Sequence, residues 1–101
     1  MQTERIEVRV TGELRTLIPR FLANREADVL QLEKALKQRD FEVLRRIGHI
    51  LKGAGGGYGF ADISTIGDAI ERAAKSGEFE TLEREVGALK RYLECVHIVF
   101  E

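Results

Sequence analysis

The sequence predicts an all-α domain: an antiparallel, up-down-up-down four-helix bundle with a short extra helix at its N-terminal end. Three observations carry this. Four segments repeat apolar residues at spacings of three and four, the period of a helix with one buried face. The connections between these segments are short, which makes neighbouring helices antiparallel. One proline in 101 residues and no Ser/Gly-rich linker leave no place for a boundary inside the bundle. The division read from the chain is an N-terminal arm over residues 1–12 and one bundle over 13–101.

Along the chain, Glu-Arg-Ile-Glu-Val-Arg-Val at 4–10 alternates apolar and charged residues. That is strand-like, but one strand has nothing to pair with, so the segment reads as an extended arm. A short helix over 13–18 hands over at Pro19, which suits a first helical turn. The first long helix, 19–38, carries Leu22, Val29, Leu32 and Leu36 on one stripe, broken by Arg25. Asp40 is placed to cap the next, in which Phe41, Leu44, Ile47, Leu51, Ala54 and Tyr58 recur at helical spacing. This stripe predicts helix through about residue 57, and Gly59-Phe60 marks the turn. Ile63, Ile66, Ile70 and Ala73 form the third stripe, stopped by Gly77. Leu82, Val86, Leu89, Leu93, Val96 and Phe100 form the fourth.

Composition excludes several classes of function. The chain is 44% hydrophobic and 33% charged, which is globular rather than disordered. A net charge of −1 gives no global attraction to nucleic acid or an anionic membrane. The apolar runs are too short to span a bilayer. Glu4, Arg5, Glu7 and Arg9 interrupt the place where the core of a signal peptide would sit. The lone Cys95 excludes an internal disulfide and suits a reducing, cytoplasmic setting. It reads as a small, partly buried apolar residue.

One stretch breaks the bundle pattern. Six of the ten glycines (48, 53, 55, 56, 57 and 59) fall within residues 48–59. Each glycine inside a helix costs about 0.8–1 kcal/mol relative to alanine, so a run of them points to a functional or tightly packed place. His49 lies off the apolar stripe, with Arg45, Arg46, Lys52 and Gly53 one turn away. Gly53 puts no side chain over the imidazole. The cations repel a bound metal and favour a neutral, nucleophilic ring. They would also stabilise a phosphoryl group placed on it, which brings close to two negative charges. Other chemistries fail on spacing. Lys52 precedes Gly53 rather than closing a phosphate-binding loop. One cysteine and the distant His97 do not make a zinc site. Ser64 and Ser76 stand in no nucleophile motif.

The run His49-Ile-Leu-Lys52-Gly53-Ala-Gly-Gly-Gly-Tyr-Gly59-Phe60 resembles the signature of the histidine phosphotransfer (HPt) domain family, His-x-x-Lys-Gly followed six residues later by Gly. The resemblance implies a helical bundle that relays phosphoryl groups between histidines and receiver-domain aspartates in two-component signalling. It implies that His49 is the phosphoacceptor and Lys52 stabilises the phosphoryl group. Gly53 would then give the partner access, and Gly59 would belong to the hairpin turn. In several members a Glu or Gln on the next helix orients the histidine, and the matching position is Glu71. Geometry agrees, because residues 49 and 71 are equidistant from the turn at Phe60. The phosphoacceptor helices of sensor kinases are also similar, but there an acidic residue usually follows the histidine, and here Ile50 does.

The implied protein is a standalone, monomeric phosphocarrier rather than an enzyme. Its partners are a receiver domain and a histidine or hybrid kinase. It needs no cofactor of its own, because Mg²⁺ belongs to the receiver. The docking face expected around His49 comprises Arg45, Arg46, Ile50, Gly53, Gly56, Gly57 and Phe60. The alternatives are a helical adaptor that binds a receiver or kinase without moving phosphate, and a phosphohistidine-dependent phosphatase, for which no further catalytic group is evident.

Overall fold

A computed structural model describes residues 5–101. In chain order the elements are β1 (Ile6–Val10), a 3₁₀ turn (Gly12–Leu14), α1 (Ile18–Gln38), α2 (Phe41–Ala54), a second 3₁₀ turn (Gly56–Tyr58), α3 (Ala61–Ser76), α4 (Phe79–Cys95) and β2 (Val96–Phe100).

The four helices pack around one core. Leu32, Leu44, Ile47, Leu51, Ile63, Ile70, Leu82 and Leu89 are fully buried there, each stabilising the fold by about 1.5–3 kcal/mol. Arg25, which interrupts the stripe of α1, is buried as well. Its guanidinium lies 2.9 Å from Asp28 and over the ring of Phe21. Burial pushes the Asp28 carboxyl up, against the pull of Arg25.

The helix ends follow local chemistry. Pro19 falls in the first turn of α1, and Arg39 closes that helix in the left-handed region. Asp40 caps α2, accepting a hydrogen bond from the backbone N–H of Val43 at 3.2 Å. Gly77, at φ 70°, closes α3.

Three expectations are corrected. First, the strand-like segment does not stay an unpartnered arm, and the last helix does not run to the end. β1 pairs in parallel with β2, from Ile6 opposite Val96 to Val10 opposite Phe100. The pairing continues through the N–H of Glu101, which donates to the carbonyl of Val10, and the N–H of Gly12, which donates to that of Glu101. Val96 and Phe100 satisfy a spacing of four, yet Val96, Ile98 and Phe100 also satisfy a period of two. The β-branched run Val96, Ile98, Val99 favours a strand once a partner exists. Parallel strands need a long crossover, and here the whole bundle is the crossover. Residues 1–4, which open the expected arm, lie outside the described residues. Second, the short helix expected over 13–18 is a single 3₁₀ turn at Gly12–Leu14. Third, α2 stops at Ala54 rather than near 57, and Gly56–Tyr58 form a 3₁₀ turn. Consecutive glycines lose too much backbone freedom to hold a long helix open to solvent.

Among the described residues, no helix is long and apolar enough to cross a membrane.

Candidate functional site

The glycine run and its neighbours on α3 fall into two groups with different physical roles. Gly48, Gly55 and Gly67 form a seam where α2 and α3 touch backbone to backbone. A Cβ on Gly48 would lie 2.7 Å from the Glu71 nitrogen, and one on Gly67 would lie 2.5 Å from the Lys52 nitrogen. One on Gly55 would lie 2.5 Å from the Phe60 carbonyl oxygen. Side chains do not survive at such distances. These meetings descend one helix while they climb the other, so α2 and α3 form an antiparallel hairpin. Gly53 and Gly57, in contrast, meet nothing within 4 Å, and Gly56 only Ser64 Oγ at 4.0 Å. They leave an open strip on the surface.

The close hairpin brings the polar edges of both helices together. Leu44, Ile47 and Leu51 point into the core. The His49 side chain, off that stripe, is 70% exposed, whereas that of Glu71 is 8% exposed. His49 Nδ1 lies 3.0 Å from Glu71 Oε2. Burial alone would push the Glu71 carboxyl up. The hydrogen bond from His49 and the charges of Lys75, His49 and Lys52 outweigh it and hold the group below its ordinary value. An ionised carboxylate only accepts, so Nδ1 is the donor. In the neutral ring the lone pair then sits on Nε2, on the far side of the imidazole from Glu71.

Charges of both signs surround this pair. Lys52 Nζ lies 3.2 Å from Asp68 Oδ1 and 3.8 Å from Glu71 Oε1. Lys75 Nζ lies 3.7 Å from Glu71 Oε2, and Arg72 Nε lies 3.1 Å from Asp68 Oδ2. The hydrogen bond from Lys52 holds the Asp68 carboxyl below its ordinary value, with Arg72 adding to the effect against partial burial.

The structure thus brings together His49, Lys52 and Glu71, with Gly53 open beside them. Ile50 is 45% exposed on the same helix. Arg45 is a weaker flanking cation than expected, because Glu42, one turn back, already pairs with it. Arg46 is exposed and lines a shallow groove shared with Gln31, Lys34 and Asp40. Phe60 is corrected outright. It is fully buried, its ring stacked on Phe21 at 5.1 Å, and offers nothing to a docking partner. Gly59 turns the chain at φ 86°, a conformation that favours glycine. His97 is exposed on β2, opposite Glu7.

Sequence reasoning missed Asp68 and the packing role of Gly67. The signal was present. Residues 52 and 68 are also equidistant from Phe60, and Asp68, Glu71, Arg72 and Lys75 recur at spacings of three and four on α3.

Among the described residues, no group of three or more His, Cys, Asp or Glu side chains is arranged to hold a metal ion. The arrangement leaves the outer imidazole nitrogen of His49 on an open surface. The chain matches the Hpt domain family over residues 16–97. No curated protein and no solved structure matches it.

Proposed function

The chain belongs to the Hpt domain family, whose members carry phosphoryl groups in phosphorelays, and from that membership we propose that it is a phosphocarrier with His49 as its phosphoacceptor. The observation that carries this reading is the 3.0 Å contact between His49 Nδ1 and the ionised Glu71 on an otherwise exposed ring. It leaves Nε2 as the nucleophile.

In the forward step the Nε2 lone pair attacks phosphorus in a receiver's aspartyl phosphate. The bond from phosphorus to the aspartyl oxygen breaks, and its electron pair leaves with the carboxylate. The Nδ1 proton stays in the hydrogen bond to Glu71, whose charge offsets the positive charge the ring acquires. Lys52 offsets the charge of the phosphoryl oxygens. In phosphoryl transfer a protein mainly positions groups and neutralises charge, and this site is equipped for both. The reverse step returns the group to a receiver aspartate. Mg²⁺ belongs to the receiver in this reading, and the chain needs no cofactor of its own.

The docking face is the strip of Ile50, Gly53, Gly56 and Gly57 around His49, flanked by Arg45 and Arg46. The partners are a receiver domain and a histidine or hybrid kinase. The protein acts as a cytoplasmic monomer, and its helices alternate in direction throughout. The antiparallel pairing of α2 with α3 supports that last point.

Replacing His49 with Gln tests the assignment. The variant should fold as the wild type does and take no label from a phosphorylated receiver. Label on the wild type should be acid-labile and base-stable. Labelling that persists in the variant refutes the assignment. A wild-type chain that binds receivers but takes no label is an adaptor instead.

A further inference from the structure

Lys52, the cation that the phosphocarrier reading assigns to the phosphoryl group, already has a partner in the free protein. Its ammonium lies 3.2 Å from Asp68 Oδ1. A phosphoryl group on His49 would bring close to two negative charges within one helical turn of Lys52. It would have to draw the lysine away from that carboxylate.

The geometry suits an exchange. Asp68 is not left bare when Lys52 departs, because its other oxygen lies 3.1 Å from Arg72 Nε. The Lys52 side chain is 51% exposed and that of Asp68 30%. Ion pairs this accessible to water are weak, whereas a buried pair would resist separation. The hairpin register sets Asp68 opposite Lys52 and Glu71 opposite His49. One face of α3 therefore holds the nucleophile with Glu71 and the cation chiefly with Asp68, at 3.2 Å against 3.8 Å from Lys52 to Glu71.

We propose that Asp68 is a positioning residue acting through Lys52: it holds the lysine beside His49 in the free protein and releases it to the phosphoryl group, with Arg72 as the replacement cation. Asp68 thereby competes with the phosphoryl group for Lys52 and limits the lifetime of phosphohistidine. This inference rests on the phosphocarrier reading above.

The test needs no protein partner. Phosphoramidate serves as donor: the bond from Nε2 to phosphorus forms, the donor's phosphorus–nitrogen bond breaks, and ammonia leaves. After the donor is removed, ³¹P NMR follows decay of the phosphohistidine signal. The chains compared are wild type, Asp68→Asn and Asp68→Glu, each with Lys52 or with Lys52→Met, and thermal melts monitor the fold. With Lys52 present, Asp68→Asn should lengthen the lifetime about two- to fivefold, the range a partly exposed ion pair supports. Asp68→Glu should return it toward the wild-type value. With Lys52→Met the effect of Asp68→Asn should vanish. In the wild type the ¹⁵N resonance of Lys52 Nζ should move on phosphorylation. An unchanged lifetime in Asp68→Asn, the same change without Lys52, or an unmoved Nζ resonance overturns the role of Asp68 alone. A wild-type chain that takes no phosphoryl group overturns the phosphocarrier reading, and this inference with it.

Discussion

Gly67→Ala adds one methyl group at the seam between α2 and α3, and its consequences follow from three distances. The new Cβ would lie 2.5 Å from the Lys52 nitrogen, 2.7 Å from Leu51 Cβ and 2.8 Å from the Gly48 carbonyl oxygen. Ordinary contact begins near 3.4 Å, so the helices must part by about 0.9 Å. Two of the three opposing atoms are backbone and the third is a Cβ, so no side-chain rotation relieves the clash. Overpacking of this kind destabilises by about 1–3 kcal/mol. Alanine's better helix propensity returns about 0.8–1 kcal/mol. The net effect on stability is a loss of up to about 2 kcal/mol, or a midpoint lowered by roughly 8–16 °C at the upper end for a domain of this size. The same displacement, carried one turn along α3, would stretch the 3.0 Å contact between His49 and Glu71 to about 3.9 Å, beyond hydrogen-bond range. Gly87→Ala on α4 is the matched control, because a Cβ there meets nothing within 4 Å. That variant should gain about 0.8–1 kcal/mol. The same substitution should therefore have opposite signs at two helical glycines. Urea and thermal unfolding measure the stabilities, and ¹⁵N spectra of the imidazole report which nitrogen is protonated. If Gly67→Ala is as stable as Gly87→Ala and leaves the His49 tautomer unchanged, the seam does not position the site.

Three further outcomes follow from the same structure. Asp40→Ala removes the cap that accepts from Val43 N–H. It should cost about 1 kcal/mol in urea unfolding while leaving the imidazole tautomer of His49 unchanged. Phe60→Ala empties a fully buried ring site beside Phe21 and should cost about 3–5 kcal/mol; a loss below 1 kcal/mol by the same titration would contradict its burial. The Glu71 carboxyl is held below its ordinary value of 4.5 in the folded protein. Its contribution to stability is therefore fully present above about pH 4.5 and is lost as pH falls through the folded value. Glu71→Gln lacks that contribution. The stability gap between wild type and variant should narrow below pH 4.5, and a gap that widens on acidification would reverse the sign argued for Glu71.

The signature around His49 and the helical stripes were legible because both are local. Residues three and four apart meet on any helix, whatever the rest of the chain does. Asp40, Pro19 and Gly77 announce helix ends for the same reason: a cap, a fixed φ and a left-handed backbone are properties of one or two residues. The equidistance of 49 and 71 from the turn extended this logic across one hairpin, and the 3.0 Å contact agrees with it.

What the tertiary structure decided lies where one short pattern serves two structures, or where the partner is remote in sequence. Val96 and Phe100 fit a helix and a strand equally well, and only the arrival of Ile6–Val10 alongside resolves them as β2. Phe60, an apolar residue in the turn, is expected on the docking face from sequence; the stacking partner that buries it, Phe21, sits on α1. The glycines gave the same local signal of poor helix propensity throughout. Three-dimensional packing divided them into a seam at Gly48, Gly55 and Gly67 and an open strip at Gly53, Gly56 and Gly57. Propensity depends on a residue's own backbone, whereas contact depends on what another segment brings to it. The spacing of His49, Lys52 and Gly53 was therefore readable from the chain alone. The buried carboxylate that turns Nε2 outward, and the aspartate that holds Lys52, needed the hairpin.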